Sequence, residues 1–134
     1  MNHNIKLLAI LAFAALLPSC KTDDTAVCPS GSGGNLTIAA FPKYAGRSVM
    51  AYAAWVKYNT REQPGNASEN YDLIVPANAG EDHVHIKNLK CGDYYIYMNA
   101  YDSATGKPVQ GGAGYTLIEY PTPTEVDVDI PVAQ

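Results

Sequence analysis

The alternation of apolar and polar positions divides the chain into an apolar head, a polar spacer and a run of short strands. The clearest pattern comes last: Val126, Val128, Ile130 and Val132 alternate with Glu125, Asp127, Asp129 and Pro131. That is the period of a half-buried strand, and its proline marks an edge or a strand end. "NLTIAAF" sets Leu36, Ile38 and Ala40 on one face and is predicted to stop at Pro42. In "SVMAYAAWVKY", from Ser48 to Tyr58, pointing Lys57 to water turns Tyr52, Ala54, Val56 and Tyr58 inward and Trp55 outward. "YDLIVP" and "DHVHIKNL" are short strand candidates. The second carries Val84 and Ile86 inward, His83 and His85 outward. In "LKCGDYYIYMNAYD", with Gly92 as the register mark, Tyr94, Ile96, Met98 and Ala100 face the core, and Tyr95, Tyr97, Asn99 and Tyr101 face out. "DSATGKP" is a turn broken by Gly106 and Pro108, and "AGYTLIEY" is the strand after it. Asn59 to Asn70 is a loop by composition.

About seven short strands without a helical period predict an all-β fold, a seven-stranded antiparallel sandwich of Greek-key type. Its expected span is residues 35–134. The small, polar, glycine-rich stretch before Asn35 cannot bury a core and reads as a flexible spacer.

The head is a different signal. Leu7 to Leu17 is an unbroken apolar run, too short for a membrane span and suited to a secretory signal. "LPSC", Leu17 to Cys20, resembles the lipobox of bacterial lipoproteins, with Pro18 an unusual middle residue. The resemblance implies a signal peptide at 1–19, cleavage and acylation at Cys20, an acylated tether over 20–34, and anchoring of the protein to the outer membrane. The alternative is an ordinary secretory signal. "CKTDD" is similar to the export signal that carries Bacteroidetes lipoproteins to the outer leaflet, against the alternative of a plain polar tether. The same phylum adds O-glycans at Asp-(Ser/Thr)-apolar triplets. Two such triplets occur here, at Thr25 and Ser103.

Composition narrows the partners. Thirteen acidic residues against nine basic give a net charge of −4, dispersed along the chain, which argues against nucleic acid and against a basic membrane-surface helix. With Cys20 acylated, Cys28 and Cys91 remain. In an oxidising compartment the simplest state for them is a disulfide, the alternative being two free thiols. Such a bridge would close a loop of roughly 60 residues, for about 4 kcal/mol in the chain-entropy account. No C-x-x-C spacing supports a redox or zinc reading.

Gly92 turns the chain sharply into its strand, and Tyr94 points inward two residues later. A buried tyrosine there can bond its hydroxyl to backbone upstream, as in the tyrosine corner of sandwiches. "VHIKNLKCGDYYIYMNAYD" resembles the Leu-x-x-Gly-x-Tyr step of transthyretin-like (prealbumin-like) modules, including carboxypeptidase regulatory-like domains. Together with "VKYNTREQPG" and "VQGGAGYTL", it is similar to a group of Bacteroidetes surface lipoproteins over roughly residues 36–132. The resemblance implies a fold and a location, and no activity. Cys91 stands where proline or lysine is more usual, which supports a bridge to Cys28.

Candidate chemistry is sparse. Tyr95, Tyr97 and Tyr101, joined by Trp55 if the two strands share a sheet, would make an aromatic face for a protein or a sugar. Otherwise they are ordinary half-exposed sheet residues. His83 and His85 share one strand face, roughly 7 Å apart by the two-residue repeat. With Asp82 or Glu81 they are weak candidates for Zn or Cu, since two ligands do not make a site. Glu125, Asp127 and Asp129 read as a solubilising outer row rather than a Ca²⁺ site. No nucleophile elbow, HExxH or phosphate loop is present. The expectation is a non-enzymatic binding or structural module without a cofactor. Its partners would be an envelope protein complex, such as a secretion or transport machine, or a glycan.

Overall fold

The computed structural model describes residues 28–134. Over the described residues the chain is all-β, with eight strands and one short 3₁₀ turn at Ser68–Asn70. The strands are β1 (Ser32–Tyr44), β2 (Arg47–Ser48), β3 (Met50–Tyr58), β4 (Leu73–Pro76), β5 (Val84–Leu89), β6 (Gly92–Asp102), β7 (Lys107–Leu117) and β8 (Thr124–Val132). They form two four-stranded sheets. One has β1 at its centre, with β8 on one edge and β5 and β2 sharing the other. The other runs β4-β3-β6-β7.

Outside the start of β3, the strands bury the faces that their alternation predicts. Ile38, Ala40, Val84, Ile86, Leu89 and Ile130 come from the first sheet; Ala54, Val56, Tyr94, Ile96 and Met98 come from the second. They close one continuous core, and each large aliphatic side chain there is worth roughly 1.5–3 kcal/mol of burial. Asp102 ties the sheets together at one end. It is 1% exposed, and the β2 residue Arg47 donates to both of its carboxylate oxygens at 3.4 and 3.3 Å. Nearby, Gln110 of β7 and Ala133 exchange two backbone bonds of 2.9 Å, which joins the outer edges of the two sheets.

Four expectations are corrected. The sandwich is not antiparallel throughout: β1 and β8 run parallel over nine residue pairs, from Leu36↔Thr124 to Tyr44↔Val132. Pro42 does not end β1. It lies between the last pairing with β5, at Ala40, and the first with β2, at Lys43, where a missing N–H breaks no ladder bond on that edge. Tyr52 does not face the core. A register shift between Ala51 and Ala53 turns Ala51 and Ala54 inward, leaving Tyr52 51% exposed. Finally, strand structure is present ahead of Asn35. β1 starts at Ser32, and Cys28 is bonded to Cys91 with a Cα–Cα distance of 5.3 Å.

The residues just after Cys28 are held by Tyr94. Its hydroxyl accepts from the Gly31 N–H at 2.9 Å, and its one proton faces the carbonyls of Lys90 at 2.7 Å and Gly31 at 3.1 Å. Gly92 is required here. Its φ is +130°, and a Cβ would sit 2.4 Å from the Cys28 carbonyl oxygen. The β5–β6 turn thus serves as the seat for the incoming chain.

Candidate interaction face

The outer face of the second sheet carries the aromatic row. Tyr97 stands opposite Trp55 across the β3–β6 pair, Tyr95 opposite Lys57, and Tyr101 opposite Met50. Trp55 and Tyr97 come together as expected, with ring centroids 5.4 Å apart. The row is not a uniform surface, however. Tyr95 is 8% exposed and Tyr97 6%, which corrects the expectation that both lie open.

What covers them is the loop between β3 and β4. It leaves the sheet at Asn59, crosses the outer face and returns at Asp72. Asn59 has a left-handed backbone, with φ 59°. Its amide accepts from the Ser30 N–H at 3.0 Å, and its own N–H donates to the Ser30 hydroxyl at 2.5 Å. At the return, Asp72 accepts from the Tyr58 N–H at 2.8 Å and from the Lys57 ammonium at 3.2 Å. Between these anchors Tyr71 lies edge-on to Trp55 at 5.5 Å and tilted against Tyr97 at 6.1 Å, and its hydroxyl donates to the Gly65 carbonyl at 3.0 Å. Burial, then the neighbouring Tyr95 and Tyr97, push the Tyr71 hydroxyl up to about 12. Burial also raises Tyr95 and Tyr97.

Strand β7 makes room for this loop. Gly112 and Gly114 face outward opposite Tyr97 and Tyr95. A Cβ on Gly114 would meet the Arg61 carbonyl oxygen at 2.3 Å, and one on Gly112 would meet the Tyr95 hydroxyl at 2.6 Å. The "GGAG" run is therefore the bare floor on which the loop and Tyr95 lie.

Beyond the loop the same face is open. Met50 is 41% exposed and Tyr52 51%, and the half-buried Tyr101 lies 6.2 Å from Tyr52, the two rings inclined at 33°. Tyr101 is nine residues along β6 from Gly92, so this ledge stands about 30 Å from the Cys28–Cys91 end. A shallow cleft of 290 Å³ opens at the opposite end, beside the disulfide.

The remaining predicted positions distribute as follows. Ser103 is exposed at the tip of the β6–β7 turn. The preceding Asp102 is occupied inside that turn, accepting from the Ala104 N–H and the Thr105 hydroxyl. Cys20 and Thr25 lie outside the described residues. His83 and His85 lie together on the outer face of the first sheet, their Nε2 atoms 2.9 Å apart. Among the described residues no group of three or more potential metal ligands converges. The expected face Trp55–Tyr95–Tyr97–Tyr101 is thus split: three residues join the covered cluster, and Tyr101 joins Met50 and Tyr52. Tyr71, Met50 and Tyr52 are the positions on this face that alternation missed. No protein-family model, curated protein or solved structure matches the chain.

Proposed function

We propose that this protein is a lipid-anchored outer-membrane lipoprotein, displayed at the cell surface, whose β-domain is a non-catalytic binding module of transthyretin-like, Greek-key type. The observation that carries the binding role is the open ledge of Met50, Tyr52 and Tyr101. Large rings offer contact area at small entropic cost, and a flexible thioether adapts its shape to a partner. The ledge lies at the end of the domain away from Cys28, so a tether attached through Cys20 leaves it facing outward. Nothing in this reading requires a cofactor. An envelope protein is the preferred partner, because a thioether beside two tilted rings fits an apolar protein anchor. A glycan, captured by ring stacking, is the second reading, favoured by the Tyr52–Tyr101 pair.

The test compares the wild-type protein with a Tyr52→Ala, Tyr101→Ala double variant in affinity recovery from native membranes and on a glycan array. Recovery of one defined protein that the variant fails to recover supports the first reading. Array binding lost in the variant supports the second. Identical behaviour of the two proteins in both assays refutes the ledge. Mass spectrometry of the mature N-terminus tests the anchor separately: a lipid-modified Cys20 is expected, and an unmodified Cys20 or cleavage elsewhere contradicts it.

A further inference from the structure

The two histidines form a chain of contacts with two carboxylates that is short of protons. His83 Nδ1 lies 2.9 Å from Asp82 Oδ1, and His85 Nδ1 lies 3.1 Å from Glu125 Oε2. Their Nε2 atoms face one another at 2.9 Å, the rings nearly perpendicular at 83°. In the tautomers that satisfy both of these contacts, each Nδ1 donates its N–H to a carboxylate oxygen. A neutral imidazole has one proton, and both Nε2 atoms are then bare lone pairs directed at the same point. Two lone pairs at that distance repel unless an electrophile lies between them. The candidates are one extra proton or a metal ion.

Both rings are set for the ion. A metal-bound histidine characteristically donates its other nitrogen to a carboxylate, which fixes the tautomer and raises the basicity of the ligating nitrogen. Here each ring has its own carboxylate, from different elements: Asp82 precedes β5, and Glu125 lies on β8. The His85–Glu125 contact spans the central strand β1, where the outward residue is the small Ala39. Phe41 stacks on His83 with centroids 4.9 Å apart, which holds that ring in place. Two nitrogens on a tetrahedral Zn²⁺ at 2.0–2.1 Å stand about 3.3 Å apart. The pair needs to open by only about 0.4 Å, within reach of small rotations of two partly exposed rings.

We propose that His83 and His85 bind one divalent transition ion of imidazole preference, Zn²⁺ or Cu²⁺, through their Nε2 atoms, with Asp82 and Glu125 as orienting partners and the remaining positions filled by solvent. Two protein ligands make the site open rather than structural, so the ion is exchangeable and can accept a donor from another molecule.

The full mature protein, stripped with chelator, is titrated calorimetrically with ZnCl₂ and separately with CuCl₂. One ion per chain in the micromolar range is expected with at least one metal. His83→Ala and His85→Ala should each lose at least tenfold in affinity. Glu125→Gln, which leaves both ligands, should lose roughly tenfold by releasing the His85 ring. Tyr52→Ala, on the other sheet, should bind as wild type. For Cu²⁺, electron paramagnetic resonance should show coupling to two nitrogens, lost in either histidine variant. Circular dichroism confirms that each variant is folded; His85→Asn replaces any that is not. Absence of saturable binding below about 1 mM, or binding that persists in both histidine variants, overturns the proposal.

Discussion

At the scale of single residues, the tyrosines divide by what lies above them. Tyr94 is fully buried with three backbone atoms around its hydroxyl, so Tyr94→Phe should cost about 1 kcal/mol. Tyr97→Ala opens a cavity under Tyr71 and Trp55 and should cost roughly 3–5 kcal/mol. Tyr101→Ala, at the margin of the ledge, should stay within about 1 kcal/mol. Urea denaturation of the three variants checks the order; a Tyr97→Ala loss as small as that of Tyr101→Ala would mean the loop does not cover the row. Two ionisable groups contribute stability with opposite dependence on pH. The Thr105 hydroxyl, then the Arg47 guanidinium, hold the Asp102 carboxyl below its usual range. Its contribution is therefore complete above about pH 4 and is lost as acid lowers the pH through its folded pKa. Tyr71 has the opposite sign: its folded pKa is raised to about 12 from 10.0, so its contribution is complete below pH 10 and fades between there and about 12. Denaturation midpoints across pH should show Asp102→Asn with a flatter acid limb and Tyr71→Phe with a flatter alkaline limb. Unchanged limbs would contradict both assignments.

At the scale of elements, strands with strict alternation were readable from residue identity alone. β6 and β8 bury the faces their period assigns, because each has one apolar and one mostly polar or aromatic side and no interruption. β3 departs from its alternation at Tyr52 because a bulge adds one residue, and the run Ala51-Tyr52-Ala53-Ala54 contains too little bulk to mark where the register slips. The β3–β4 loop was legible as a loop but not as a cover. Its return across the sheet is a tertiary event, set by anchors at Asn59 and Asp72 and by the missing side chains of Gly112 and Gly114. The parallel β1–β8 pairing was equally invisible, since a strand's own period is silent about the direction of its neighbour. The loop reading is tested by Gly114→Val. The added side chain must displace Arg61, lifting the loop from the aromatic cluster. Trp55 is the only tryptophan, so its emission should shift to the red and quench more readily with iodide, while the far-ultraviolet spectrum stays β. Unchanged emission would show that the loop does not rest on β7.

At the scale of the molecule, the domain has two ends of different construction. At one, the disulfide, Gly92 and Tyr94 fasten the incoming chain to the β5–β6 turn. At the other, roughly 30 Å away along β6, the second sheet emerges from under its loop and exposes Met50, Tyr52 and Tyr101. One half of that sheet is covered and the other open, and the proposed binding role places this sheet's outside contact on the open half. Photocrosslinking on intact cells tests this most directly, with a benzophenone amino acid placed at position 52 in one strain and at position 97 in another. An intermolecular adduct is expected from position 52, formed without lysis, and none from position 97, which should react only within its own chain. No adduct from position 52, or an equal yield from position 97, would contradict it.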